Sequence, residues 1–372
     1  MGMDDFLIFC PDDVDLTRSP LRRGIAEPTY VLGAFNPGFT RLPGGNLLMM
    51  VRVAETLREP VAGDRVRSIR WTPQGYVLDA HPLSAVDPAD PRRLVVAREG
   101  HRLTALTSLS WLLPVELTPD GRAIVAVHYH RVIEPAASFQ DYGVEDARIS
   151  RIDGRYYMTT CSVSAERQCT TLHTSDNGLD YVLEGIVLDH QNKDMLLFEG
   201  KVQDRFMALT RPLGDQYFAY PPDSPFAGGP SINLAQSPDA LHWKPLDRAF
   251  IRAKKGSACA AKVGGGTPPV RTEQGWLMLY HGVEPLEAVG IYRTFWALLD
   301  LEEPSTILRL EDELPVLEAS PQLTLPIAHQ MYLPSPVVFT TGIADGGDHY
   351  IVASGEADLA CRITLMPRTI FA

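Results

Sequence analysis

Apolar residues along this chain come in short runs, not at the three- and four-residue spacing of an amphipathic helix. Clear examples are NLLMMVRVAE (46–55), AIVAVHYHRV (123–132), RYYMTTCSV (155–163), RFMALTRP (205–212), GWLMLYHGV (275–283) and HYIVASGEAD (349–358). Each has the length of one strand and is rich in β-branched, aromatic and aliphatic side chains. The 30 prolines and 29 glycines fall mainly between such runs, where turns need them. The pattern predicts an all-β protein.

A weak internal repeat refines this. TSDNGLDY (174–181) and SPDALHW (237–243) share a Ser, an Asp and a closing aromatic, and SIRWTPQGY (68–76) is a looser relative. Each follows one apolar run and precedes another, as a hairpin turn in a repeated β-unit does. Repeats of a few tens of residues built from short strands point to a β-propeller, and the length suits five blades of four strands. A pair of β-sandwiches is the alternative. LEEPSTILRLEDELP (301–315) reads as a solvated connection with a helical turn. No Ser/Gly tract or charge block marks a linker, so residues 1–372 are expected to form a single domain with short terminal extensions.

Composition narrows the partners. Hydrophobic residues are 45% of the 372 and charged residues 22%, which fits a globular protein with a sizeable core. A formal charge of −12 disfavours nucleic acid, which needs a basic face to displace counterions. A local basic pocket for a small anion is still compatible with it. Five scattered cysteines lack zinc-site spacing, and the N-terminus has neither a basic n-region nor a long apolar run. The expectation is a cytoplasmic protein with reduced thiols, off the membrane; self-association into a homo-oligomer stays open.

Several segments carry candidate chemistry. GVEDARIS (143–150) places Glu145, Asp146 and Arg148 just before a strand, and simple alternation puts Asp146 and Arg148 on one face. The pair reads equally as a structural ion pair or as a proton donor whose burial outweighs the guanidinium. Asn36 sits in the turn FNPGF, while Arg52 and Glu55 close an apolar run, where a carboxylate can hold sugar hydroxyls. Arg211, Lys262 and His281 lie on otherwise apolar segments and together suggest an oxyanion pocket. The GGG run after Lys262 lacks nucleotide-loop spacing and reads as a tight turn. His128 and His130 are two apart, hence on one strand face, but no third ligand lies nearby and no metal site is expected.

The ordered set FNPG, RVAE, GVEDARI, the KD…LFE…LTRP stretch, KVGGGTPPV, GWLMLYHGV and a closing GEAD resembles glycoside hydrolase family 130 from about Asn36 to Asp358. The resemblance implies a five-bladed propeller that cleaves a β-linked mannosyl unit with inversion and needs no cofactor. In the phosphorylase branch, inorganic phosphate is the co-substrate and α-mannose 1-phosphate the product. Asp146 would be the proton donor, relaying its proton through the 3-hydroxyl of the mannosyl unit. Asn36, Arg52, Glu55, Arg148 and Asp358 would hold the sugar, and Lys193, Arg211, Lys262, His281 and Tyr292 the phosphate. Two departures favour an alternative, an inverting β-1,2-mannosidase. Asp194 follows Lys193 where the phosphorylases carry Asn, and Glu199 replaces a Pro. Asp194 would repel phosphate unless paired with Lys193 or protonated, and either carboxylate could activate water. The ASGEAD ending also departs from the family's usual aromatic-Gly-Ala-Ala-Asp. A non-catalytic sugar-binding propeller is the third reading.

Overall fold

The computed structural model describes residues 3–97, 103–214, 217–333 and 336–371. Strands dominate, and the larger ones fall into five antiparallel groups, the first two of which are joined by a parallel pairing of Gly143 with Ser110 into one eight-stranded sheet. The first contains Thr29–Arg41, Leu47–Leu57, Leu109–Leu117 and Ile124–Val127; the second contains Gly143–Ile152, Arg155–Val163, Gln168–Ser175 and Val182–Leu188. Asn192–Leu197, Phe206–Pro212, Ile232–Ser237 and Lys244–Ile251 form the third. The fourth runs through Lys262–Gly265, Trp276–Glu284, Ile291–Leu299 and Ile307–Glu311. In the fifth, Val338–Asp345, His349–Glu356 and Ala360–Pro367 are completed by the N-terminal strand Asp4–Phe9, which pairs with Ala360–Pro367. The predicted runs are therefore strands, with two corrections. The run at 123–132 stops at Val127, so His128 and His130 do not share a strand face; His128 bonds Glu116 at 2.9 Å. The stretch 301–315 contains the strand Ile307–Glu311 instead of a helical turn.

Five apolar clusters each join one sheet to its neighbour, and alternation along single strands explains how. Leu48 and Met50 pack with Val144, Ile149 and Met158 of the second sheet, whereas Leu47, Met49 and Val51 pack with Ile351, Ala353 and Ile363 of the fifth. Leu197 joins the second and third sheets, and Leu196 the third and fourth. Met278 and Tyr280 face the third sheet, and Leu277 and Leu279 the fifth. Strands buried on both faces need apolar side chains at successive positions, and this is why the runs are continuous. The first strands of neighbouring sheets touch in order: Thr29–Arg41 meets Gly143–Ile152, which meets Asn192–Leu197, which meets Lys262–Gly265. Val338–Asp345 then meets both the fourth sheet and Thr29–Arg41, returning to the start.

The three repeat segments occupy hairpin connections. Ser175 and Asn177 in one, and Ser237 and Asp239 in another, accept hydrogen bonds from the following backbone amides, so the shared residues are turn chemistry. One region breaks the pattern: between Leu47–Leu57 and Leu109–Leu117 the chain adds two small sheets, Val61–Ala62 with Arg65–Thr72 and Gly75–Pro82, and Arg93–Ala97 with Leu103–Leu106. Among the described residues no helix is long and apolar enough to cross a membrane.

Because Asp4–Phe9 completes the fifth sheet and buries Phe9, its removal should cost about 2 kcal/mol or more. Urea unfolding of the truncated chain would measure this, and an unchanged midpoint would show that the strand adds no stability.

Candidate functional site

Asn36, Asp146 and Asp194 sit at corresponding places in the first strands of three sheets, each at an interruption of the strand register. All three are left-handed, with φ of 47°, 51° and 54°. Such bulges re-aim a side chain that alternation would send elsewhere. The expectation that Asp146 and Arg148 share a face is therefore corrected. The bulge turns Glu145 and Asp146 together toward the cleft, where Arg52 reaches both, with Nη2 donating to Glu145 Oε1 at 2.8 Å and Nη1 to Asp146 Oδ1 at 3.0 Å. Lys193 Nζ bonds Glu145 Oε2 at 3.1 Å and lies 3.8 Å from Asp146, and Asn36 Nδ2 donates to Asp146 Oδ1 at 3.1 Å. Burial alone would raise the Asp146 carboxyl, but Arg52, then Lys193 and Arg148, and the Asn36 hydrogen bond hold it well below the usual range. Among these neighbours Asp146 is a carboxylate.

Asp358, also left-handed at φ 50°, faces the same cleft, 3.8 Å from Arg92. Burial raises its carboxyl against the pull of Arg92 and Arg52. Arg92 comes from the inserted segment and is held by a two-point bond to Asp90, at 2.9 and 3.1 Å. Reading the sequence did not find Arg92: nothing in DPADPRR announces that its insertion folds back over the cleft.

The space divides into two adjoining cavities of about 310 Å³ each, sharing Arg52, Arg92, Lys193 and Asp358. One extends past Glu145 to Tyr332; the other contains Asn36, Asp146, Asp194, Arg211, Lys262 and Tyr292. Arg211 Nη2 lies 3.0 Å from Asp194 Oδ2, and Arg148 Nη2 3.6 Å from Asp194 Oδ1. Asp194 is thus paired with two arginines and not with Lys193, which Glu145 takes. Lys262 stands over the Tyr292 ring and pairs with no carboxylate among the described residues.

Four expected site residues lie elsewhere. Glu55 is three positions from Arg52, hence on the opposite strand face, and is fully buried among Ser19, Arg22, Thr29 and Trp111, all of which donate to it. Arg148 is walled in: its Nε donates to Gly266 O and its Nη1 to the carbonyls of Asp146 and Ala147, so it braces the bulge instead of lining the cleft. His281 packs behind Arg211, with Nε2 accepting from Arg211 Nη1 at 3.1 Å. Burial, then Arg211 and Lys262, keeps its ring neutral. Glu199 lies five residues beyond Asp194, beside Arg151, and lines neither cavity of the cleft. Burial pushes its carboxyl up to about 7. The GGG run is corrected too. Lys262–Gly265 is a strand, and a Cβ on Gly264 would stand 2.5 Å from the His281 ring and 2.8 Å from Asp194 Oδ2. Close approach, not a turn, demands glycine there.

With the geometry in hand, comparison with known proteins places the chain. Residues 110–371 match the sequence model of glycoside hydrolase family 130 described as beta-1,4-mannooligosaccharide phosphorylase. The chain belongs to that family. It is 29% identical to a beta-1,2-mannobiose phosphorylase of Listeria innocua over 90% of this chain and 88% of that one. A 1,2-beta-oligomannan phosphorylase of Thermoanaerobacter is 33% identical over 60% of this chain and 68% of its own. The solved structure of a Listeria innocua beta-1,2-mannobiose phosphorylase with beta-1,2-mannobiose superposes with a TM-score of 0.81 at 26% identity, covering 100% and 98% of the two chains.

Two outcomes follow. Glu55→Ala strands three buried donors, on Ser19, Thr29 and Trp111, and the partly exposed Arg22, and should cost about 3 kcal/mol or more in urea unfolding; wild-type stability would contradict its structural role. A carboxyl raised on folding binds more protons folded than unfolded, so Glu199 lowers stability as pH rises from about 4.5 to about 7. Glu199→Gln should therefore raise the melting temperature at pH 8 but not at pH 4, and equal shifts at both would contradict the burial argument.

Proposed function

We propose that the protein is an inverting β-mannoside phosphorylase folded as a single five-bladed β-propeller, with Asp146 as its proton donor. The cyclic order of sheet contacts and the five clusters between neighbouring sheets support the propeller reading. The observation that carries the activity is that a strained, inward-aimed Asp146 shares one cavity with Arg211, Lys262 and Tyr292. That cavity is lined by five basic side chains (Arg52, Arg92, Lys193, Arg211, Lys262) against three carboxylates (Asp146, Asp194, Asp358). Asp90 holds Arg92 and Glu145 holds Arg52 and Lys193, while Lys262 pairs with no carboxylate among the described residues. Such a cluster of cations around one cavity suits a phosphate dianion.

In this reading the mannosyl unit lies between Asn36, Arg52, Asp146 and Asp358. A phosphate oxygen, held by Arg211, Lys262, Lys193 and Tyr292, attacks the anomeric carbon while the glycosidic C–O bond breaks. The proton passes from Asp146 through the 3-hydroxyl of that unit to the leaving oxygen, giving α-mannose 1-phosphate. Asp146 is ionised among its protein neighbours, so it must gain a proton first. A dianion beside Lys193 and Arg211 offsets the charges that hold Asp146 low and raises its pKa. The two carboxylates of the hydrolase alternative fit less well. Asp194, at 1% exposure, is enclosed by Arg148 and Arg211, and Glu199 lies off the cleft. A lectin would have no use for a strained carboxylate among cations.

Incubation with β-1,2- and β-1,4-mannosides should release mannose 1-phosphate only when phosphate is present. Free mannose at equal rates without phosphate would establish the hydrolase, and binding without turnover the lectin. Asp146→Asn should lower kcat by roughly 10²–10⁴-fold in a folded protein. Arg211→Ala should lower phosphorolysis by about 10²-fold or more, chiefly through phosphate. Unchanged phosphate kinetics in that variant would contradict the pocket.

A further inference from the structure

The bulge that aims Asp146 inward aims a second buried carboxylate with it, Glu145, which makes and breaks no bond in the chemistry above. Glu145 lines the outer of the two cavities and Asp146 the inner. The two oxygens of Glu145 take different cations: Oε1 accepts from Arg52 Nη2 at 2.8 Å and Oε2 from Lys193 Nζ at 3.1 Å. Both cations also face Asp146. Arg52 reaches its Oδ1 through Nη1 at 3.0 Å, and Lys193 Nζ stands 3.8 Å from its Oδ2. Two carboxylates therefore divide two cations between them. The other groups around the pair leave that balance in place. Cys161, opposite Glu145 on the strand Arg155–Val163, is buried, which pushes its thiol up to about 12 and keeps it neutral. Asn36 is neutral, and Asp358 has Arg92 at 3.8 Å. Arg148 bonds the carbonyls of Asp146 and Ala147 and stands 3.6 Å from Asp194. Without Glu145 the balance tips: Arg52 and Lys193 turn their charge on Asp146 alone, and the like charge that opposes its ionisation is gone. Both changes make Asp146 harder to protonate, and a general acid acts only while it holds its proton.

Building on the reading of Asp146 as the proton donor of a phosphorylase, we infer that Glu145 is a positioning residue that keeps Asp146 protonatable by holding Arg52 and Lys193 on its own carboxylate. The two neighbours in the chain then have separate tasks. Asp146 passes the proton, and Glu145 sets the pH up to which that proton is available. The active form carries a protonated Asp146, so the rate falls as pH rises through its pKa with substrates bound. Lowering that pKa moves the fall to lower pH; raising it moves the fall to higher pH.

The test records kcat against pH at saturating phosphate and saturating β-mannoside, so that the titration of phosphate is common to every protein compared. In Glu145→Gln the fall at high pH should begin about one pH unit lower than in the wild type, roughly a tenfold loss of rate on that limb, with the rate recovering toward acid pH. Glu145→Asp keeps the charge and should keep the wild-type limb. Lys193→Gln should move the limb up, and Glu145→Gln combined with Lys193→Gln should return it close to the wild type. The last two variants read the effect of Glu145 even where an unpaired cation stops Glu145→Gln from folding. A rate lowered by one factor at every pH, or a limb unmoved by removing Glu145 in both backgrounds, would overturn this role and leave Asp146 standing as the donor. Absence of phosphorolysis by the wild type at every pH would overturn the phosphorylase reading itself.

Discussion

The site depends on one backbone constraint: neighbouring residues of a regular strand cannot both face the same point. Here three strands give up their regularity at Asn36, Asp146 and Asp194, each in the left-handed region that asparagine and aspartate tolerate best among residues with a side chain. Such residues cost of order 1–3 kcal/mol each and persist only where surrounding structure over-determines them. At Asp146 that structure is visible. Arg52 clamps its carboxylate and that of Glu145, while Arg148 holds the successive backbone carbonyls of Asp146 and Ala147. The same clamp makes Asp146 a carboxylate until other negative charge arrives.

Rigidity behind the bulges comes from packing that leaves the strands no free face. Alternate residues of Leu47–Leu57 belong to two different clusters, and so do those of Trp276–Glu284. A shift of one strand would therefore disturb two interfaces at once. The anion side is fixed more locally. Gly264 lets the Lys262 strand approach His281 and Asp194, His281 backs Arg211, and Asp194 holds Arg211 toward the cavity. Asp194 in this setting orients a cation, and its negative charge is matched by Arg148 and Arg211.

Much of this was legible in the residues. The apolar runs and turn-forming Ser, Asn and Asp residues announced strands and hairpins, because burial and local hydrogen bonding act over a few neighbours. Asp146, Arg52, Lys193, Arg211 and Lys262 could be named before they were seen together. What the chain hid were effects of geometry at longer range. Glu55 could have been excluded by counting three positions from Arg52 on an alternating strand. The exchange of Asp146 and Arg148 between faces could not be counted, because the bulge is invisible to a period of two. Arg92 and Tyr332 depend on how an insertion and a distant loop fold over the cleft, which no local pattern records. Glu199 looked like part of the site because it is close in sequence, yet it lies past the end of the strand Asn192–Leu197, beside Arg151 and off the cleft.

In the proposed mechanism Asp146 and the Arg211–Lys262 pocket act from opposite sides of one mannosyl unit, so a phosphate oxygen displaces the leaving group in a single inverting step. Proton NMR of the first-formed product, recorded during cleavage of a β-mannoside in phosphate buffer, tests this most directly. The account predicts the anomeric signal of α-mannose 1-phosphate from the earliest time points. A β-configured sugar phosphate, or free mannose as the first product, would contradict it.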